Sequence, residues 1–323
     1  MHEDPQLLSA ETTDRHRAIS SLMEELEAVD WYDQRVEATE DPELAAILIH
    51  NRDEEKEHAA MLLRAASPTG WEAIDGEARR TLAEVLAGRR LLDVVGPKGW
   101  DHSAEPTGRT RHVGVVVSDV DARVRDVSPL LELKVPFAVA RAELEAIERG
   151  ACDANLDPVR LAARDAAVAE DTCLFHGFPP AGIAGIVGSS PMQPITVDED
   201  YDRYPSFVAG AVSHLKVGGI GGPYAIALGP RCFTGVMEHS EMGGYPVLEH
   251  LRLILGGPVV FAPGVDGAIV ASMRGGDAEI VIGQDFSIGY SDHDAEVVRF
   301  YLQESFTLNL CSPEAFVHLR YDD

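Results

Sequence analysis

Cysteine is scarce: four residues in 323 (Cys152, Cys173, Cys232 and Cys311), with no C-x-x-C pair among them. That spacing excludes a cysteine zinc site and a disulfide framework, and it predicts core thiols in a reducing compartment. Lysine is scarce too, at four of the 27 basic residues, against 54 Asp and Glu and a formal net charge of -27. A chain this acidic lacks the basic face that nucleic acid or an anionic membrane requires, and it suits a cationic ligand. The same composition fits a salt-adapted cytoplasm. No run approaches 18 apolar residues, and the start MHEDPQLLSAETTDRHR has neither the cationic nor the apolar stretch of a signal peptide. The expectation is a soluble, cytoplasmic protein. No internal repeat or low-complexity tract is present.

What the chain does have is length and enough apolar residues, 45 % of the total, for two domains. Residues 9–66 read as two long helices split by EATEDPE, where Asp41 can cap and Pro42 takes the first helical position. The result is an αα-hairpin. AASPTG (65–70) then breaks the periodicity as a linker would, and places the domain boundary near residue 68. Beyond it a helix over about 71–90 precedes β-rich segments such as RHVGVVVSDV and PLLELKVPFAV. A second helix opens at Asp157-Pro158 and runs to Leu174, and short strands fill the last hundred residues. This larger part reads as mixed α+β.

The stretch HNRDEEKEHAAMLL (50–63) carries the chemistry. At 100° per residue Leu44, Leu48, Asn51, Glu55, His58 and Leu62 share one arc of the second helix, so Glu55 and His58 lie on an apolar stripe. In the first helix Ala18, Leu22, Glu25, Val29 and Tyr32 form the matching stripe. A carboxylate buried unpaired must take up a proton, find a partner or bind a cation. Glu-x-x-His puts an oxygen and an imidazole nitrogen on one face, which suits iron, manganese or zinc rather than calcium. The competing reading is that EEKEH is simply a solvated face. A di-iron carboxylate bundle needs a Glu from each of two helices and a Glu-x-x-His from each of the other two, and one hairpin supplies half of that. Two hairpins around a twofold axis supply the whole set.

SLMEELEAVDWY (Ser21 to Tyr32) followed by HNRDEEKEHAAMLL closely resembles the encapsulated ferritins, two-helix ferritin-like proteins that work inside a shell. The resemblance implies that Glu25, Glu55 and His58 are ferroxidase ligands of a di-iron centre between two subunits, with Tyr32 beside it. It also implies a second metal cluster at Glu24, Glu27 and Trp31, which fall within about 60° of one another on the wheel, opposite Glu25.

In residues 71–323 spacing says less. GGIGGPYAIALGP lacks Gly-Lys-Ser/Thr and the G-x-G-x-x-G register, and His239 with Glu238 and Glu241 reads as a surface turn. However, DVVGPKGW, PLLELKVPF, AIERG, GIGGPYAIALGP, RGGDAEIVIGQDFSIGY and ESFTLNLCSPEAFVHL, in that order, are similar to the encapsulin shell proteins. The resemblance implies the tailed-phage (Hong Kong 97-type) capsid fold, with an extended loop within RHVGVVVSDVDARVRDVSPLLELKVPF and assembly into an icosahedral homo-oligomer. The segment Lys216 to Gly222 corresponds to the one bordering the fivefold pore, with Gly221 where the family can have an acidic residue. Ala142 stands where some family shells hold flavin on a tryptophan, so flavin is not expected.

The whole reading is therefore a ferritin-like di-iron domain (1–67) fused to a shell domain (68–323), oxidising Fe(II) for storage in the lumen. Its partners are other copies of itself, Fe(II) and any further cargo proteins. Two alternatives stay open: a structural compartment whose hairpin only dimerises or docks cargo, and a di-iron site that consumes peroxide.

Overall fold

Proline and serine placement decides where the first well-packed helix begins. The computed structural model describes residues 27–39, 41–42, 44–49, 51–52, 67–240 and 244–322. These divide into two units, the smaller made of the described residues up to Gly76 with Ala138–Leu156 and Tyr290–Phe300. Helix α1 covers 27–38, and α2 is helical at 44–49 and 51–52. Helix α3 spans Pro68–Val85. Ser67 caps it: its Oγ accepts the Gly70 N–H at 3.1 Å and its carbonyl the Trp71 N–H at 3.0 Å. Ser67–Gly70, expected to lie in a linker, is thus an N-cap followed by proline at the first helical position, where a missing N–H costs nothing. Helix α3 consequently starts before residue 71. It also ends early, at Val85, and a separate turn of helix, α4 (Gly88–Leu91), follows.

In the smaller unit Trp71 meets Phe300 edge-on at 5.2 Å, and Ile74, Val298 and Phe300 are buried. Helix α5 (Arg141–Glu148) turns Leu144 and Ile147 inward, and the Arg141 N–H donates to the Glu296 carbonyl at 2.8 Å.

The larger unit is built on a sheet of order β5 (Ile195–Val197), β12 (Phe316–Tyr321), β8 (Ala268–Ser272), β6 (Tyr224–Leu228) and β7 (Val259–Phe261). YAIAL and AIVAS are buried along their whole length, as continuous apolar runs in central strands require. Strand β8 runs antiparallel to β6 and β12, with Val270 opposite both Ile226 and Val317, whereas the outer strands β5 and β7 are parallel to their neighbours. Helices α8 (Tyr204–Val217), α9 (Pro230–Glu238) and α10 (Val247–Leu255) bury Leu215, Val236 and Leu251 in the core on this sheet. Helix α6 spans Asp157–Phe175, as the Asp-Pro start predicts, and buries a stripe of alanines (Ala162, Ala163, Ala166 and Ala167). A second sheet sets β1 (Asp93–Val95) parallel to β9 (Ala278–Ile282), which pairs antiparallel with the 306–310 part of β11 (Val297–Leu310).

Strands β2 (Ala104–Val115) and β3 (Asp121–Pro129) pair only with each other, as a two-stranded ribbon. This is the expected extended loop. Its seven valines between Val113 and Val127 are each 43–71 % exposed, a concentration of apolar surface that a lone ribbon leaves uncovered.

Two of the four cysteines depart from expectation. Cys173 and Cys232 are core thiols, but Cys152 and Cys311 are exposed, because the one lies in the turn after α5 and the other just past the end of β11. Among the described residues no helix is long and apolar enough to cross a membrane.

Candidate metal centre

The hairpin turn forms as its sequence dictates. Asp41 Oδ1 accepts the Leu44 N–H at 3.3 Å, its carbonyl accepts the Ala45 N–H at 2.9 Å, and Pro42 sits in the first turn of α2. Arg52 reaches back to Asp33 at 2.9 Å and ties α2 to α1. Val29, Tyr32 and Val36 are half-buried and Leu48 is buried, so these described positions turn inward.

Of the six expected metal ligands, Glu24, Glu25, Glu55 and His58 lie outside the described residues. Glu27 and Trp31 are described: they stand one helical turn apart on the exposed side of α1, Trp31 with 63 % of its surface open. Tyr32, the residue after Trp31, is half-buried. Leu44 and Ile47 on α2 remain 45 % and 58 % exposed, so the hairpin covers only part of its own apolar surface.

In the larger unit, among the described residues, no three His, Cys, Asp or Glu side chains are grouped to hold a metal. His239 follows α9 and pairs through Nδ1 with the Gly235 carbonyl at 2.8 Å, against the Tyr201 ring at 5.1 Å, which is a packing role. An open groove of about 490 Å³ is lined by Arg109, Ser128, Ser189, Asn309 and Cys311, with no pair of acid and base in it.

Sequence reasoning missed one electrostatic centre. Arg89 on α4 meets Glu170 of α6, Glu304 of β11 and Asp285 of the loop that follows β9, all at 2.7–2.8 Å. Beside it Asp171 accepts the Ala87 and Gly88 N–H groups at 2.9 and 2.7 Å. Burial drives the Asp171 carboxyl up to about 7, against the pull of those two N–H groups. Arg89 is held above its ordinary range: burial opposes its charge, but the hydrogen bond and field of Glu170, with Glu304 and Asp285, prevail. No local motif announces this centre, because the carboxylates that meet Arg89 lie 81 to 215 residues beyond it.

Known proteins place both parts of the chain. The family described as "Encapsulating protein for peroxidase" matches residues 62–307, and the EncFtn-like family matches residues 1–67. A type 1 encapsulin shell protein of Rhodospirillum rubrum is 48 % identical over 260 residues, 79 % of this chain and 93 % of that protein. An encapsulated ferritin-like protein of the same organism is 74 % identical over 62 residues, 19 % of this chain and 44 % of that protein. In three dimensions the chain is similar to a virus-like particle protein of Pyrococcus furiosus, with a TM-score of 0.53 and 16 % identity over 76 % of this chain and 98 % of that one, which shows the capsid-type α+β fold. The ordered motifs from DVVGPKGW to ESFTLNLCSPEAFVHL were therefore sound guides: the chain belongs to the encapsulin shell family and carries an encapsulated-ferritin-like segment at its N-terminus.

Proposed function

We propose that copies of this chain assemble into a closed icosahedral compartment, and that residues 1–67 form an internal ferroxidase domain on the shell domain of residues 68–323. One observation carries the reading: a ferritin-like family match over residues 1–67 and a shell-family match over residues 62–307 occupy a single chain. Cargo and container are then one molecule, and loading needs no targeting peptide. The uncovered valines of the β2–β3 ribbon support assembly, since that surface is stable in water only when another copy covers it.

Two hairpins pair into a four-helix bundle, which the half-site count requires and the exposed Leu44 and Ile47 support. Leu44 belongs to the same stripe as Glu55 and His58, so the face that seeks a partner is the face that carries the ligand motif. Fe(II) is the substrate. Glu25, Glu55 and His58 from each hairpin hold two irons, and the pair supplies electrons to O2 two at a time. The carboxylates neutralise the cations, the imidazole completes an open coordination sphere, and Tyr32 lines the site. Glu24, Glu27 and Trp31 form an outer acidic site that concentrates Fe(II). Fe(III) passes to the lumen and mineralises. The excess negative charge of the chain favours cation entry.

The test is aerobic Fe(II) oxidation by purified particles, followed by sedimentation. Wild type is expected to oxidise Fe(II) fast, with iron in the pellet, and Glu55→Ala or His58→Ala to fall to the rate of iron in buffer. Equal rates in wild type and variants would reject the ferroxidase and leave a structural compartment. Substituting peroxide for O2 identifies the oxidant.

A further inference from the structure

The Arg89 centre buries more negative charge than positive. Arg89 Nε donates to both oxygens of Glu170 at 3.1 and 3.0 Å, while Nη2 serves Glu170 Oε2 at 2.7 Å and Glu304 Oε2 at 2.8 Å. Its face lies over the Phe286 ring, 4.9 Å from the centroid. Glu170 and Glu304 have no exposed surface, whereas Asp285, the third partner, is half exposed and open to water. Two fully buried carboxylates thus converge on one guanidinium nitrogen. The second oxygen of Glu304, Oε1, is buried and no donor faces it. Ionised, the carboxylate would keep the Arg89 bond at Oε2 but give up the hydration of Oε1 with no donor in exchange.

We propose that Glu304 carries a proton at neutral pH and shares it with Glu170, making the Arg89 node a proton-held clasp that fastens α4 to α6 and β11 and loosens on the alkaline side. One shared proton leaves a single negative charge between the two carboxyls, which Arg89 balances. The surroundings agree. The charged groups acting on Glu304 are Glu170 from α6, Arg89 from α4 and Asp285 from the loop beyond β9. Burial first, then the field and hydrogen bond of Glu170, push Glu304 well above the carboxylate range, and Arg89 offsets this only in part. Cys173 is pushed up by burial and by Glu170, so it stays a neutral thiol.

The sign follows from linkage. A carboxyl whose folded pKa is raised binds its proton more tightly folded than unfolded. Its stabilising contribution is complete below the ordinary carboxylate value and disappears as pH rises through the folded value. Asp171 adds a similar loss through about 7, so a loss that continues above it is the signature the proposal requires of Glu304.

The experiment uses the full chain. In infrared difference spectra between neutral and alkaline buffer, wild type is expected to lose a buried protonated-carboxyl band. That band persists in Asp171→Asn and is missing in Glu304→Gln. Between about pH 7 and about pH 10 the wild-type unfolding temperature is expected to fall several degrees more than that of Glu304→Gln. Glu170→Gln flattens the profile equally, because the remaining carboxylate then pairs one-to-one with Arg89. Absence of the band in wild type or in Asp171→Asn, or parallel profiles of wild type and either Gln variant, would overturn the proposal, and the Asp171→Asn spectrum decides even if neither Gln variant folds.

Discussion

Gly88 shows how a single residue position is dictated by what lies across from it. Its N–H must reach Asp171 Oδ1, and a Cβ added there would stand 2.7 Å from Leu174 Cδ1 and 3.1 Å from that same carboxylate oxygen. The break between α3 and α4 falls where a buried carboxylate replaces helical carbonyls as the acceptor of the Ala87 and Gly88 N–H groups. Gly88→Ala is expected to cost about 1–3 kcal/mol through overpacking, read as a lower denaturant midpoint with unchanged slope. At this scale Asp41 and Ser67 also act, each as the oxygen cap that opens a helix. The first was legible in the sequence. The second was not, because Ser-Pro-Thr-Gly has the composition of a linker and the position of an N-cap.

At the scale of elements, the β2–β3 ribbon is the one whose sequence fits no monomer. Between Val113 and Val127 it and its turn carry seven valines among charged residues, yet its strands pair only with each other and leave those valines in solvent. Replacing Val115, Val116 and Val117 by serine is expected to leave the body folded, with an unchanged near-ultraviolet spectrum. Assembly is expected to fail, seen as loss of the particle peak in size-exclusion chromatography. Particles of normal size would show that the ribbon's apolar face is not a contact between copies. The hairpin differs: α1 and α2 bury one side against each other and keep Leu44, Ile47 and Trp31 outside. Its apolar period was readable residue by residue, as was its turn, because neither depends on anything distant.

At the scale of the whole molecule, the fusion makes a prediction that neither half makes alone. Removing residues 1–66 keeps the Ser67 cap and all of α3, so particles are expected to form as before. They are expected to lose all oxidation of Fe(II) above the rate in buffer, measured by absorbance of the ferric product. Retained activity would move the chemistry into the shell part, where among the described residues no metal-holding group is found.

The sequence by itself determined what is local: two amphipathic helices with a capped turn, the Glu-x-x-His spacing, the wheel that groups Glu27 with Trp31, and the α6 start at Asp157. Ordered motifs over residues 71–323 further identified the family. All of these rest on period or on neighbours within a few residues. Only the tertiary structure decided which cysteines are buried, where α3 breaks, and that Arg89, Glu170, Asp285 and Glu304 meet. Those facts depend on contacts between residues far apart in the chain, where burial changes the cost of charge and no spacing rule records it.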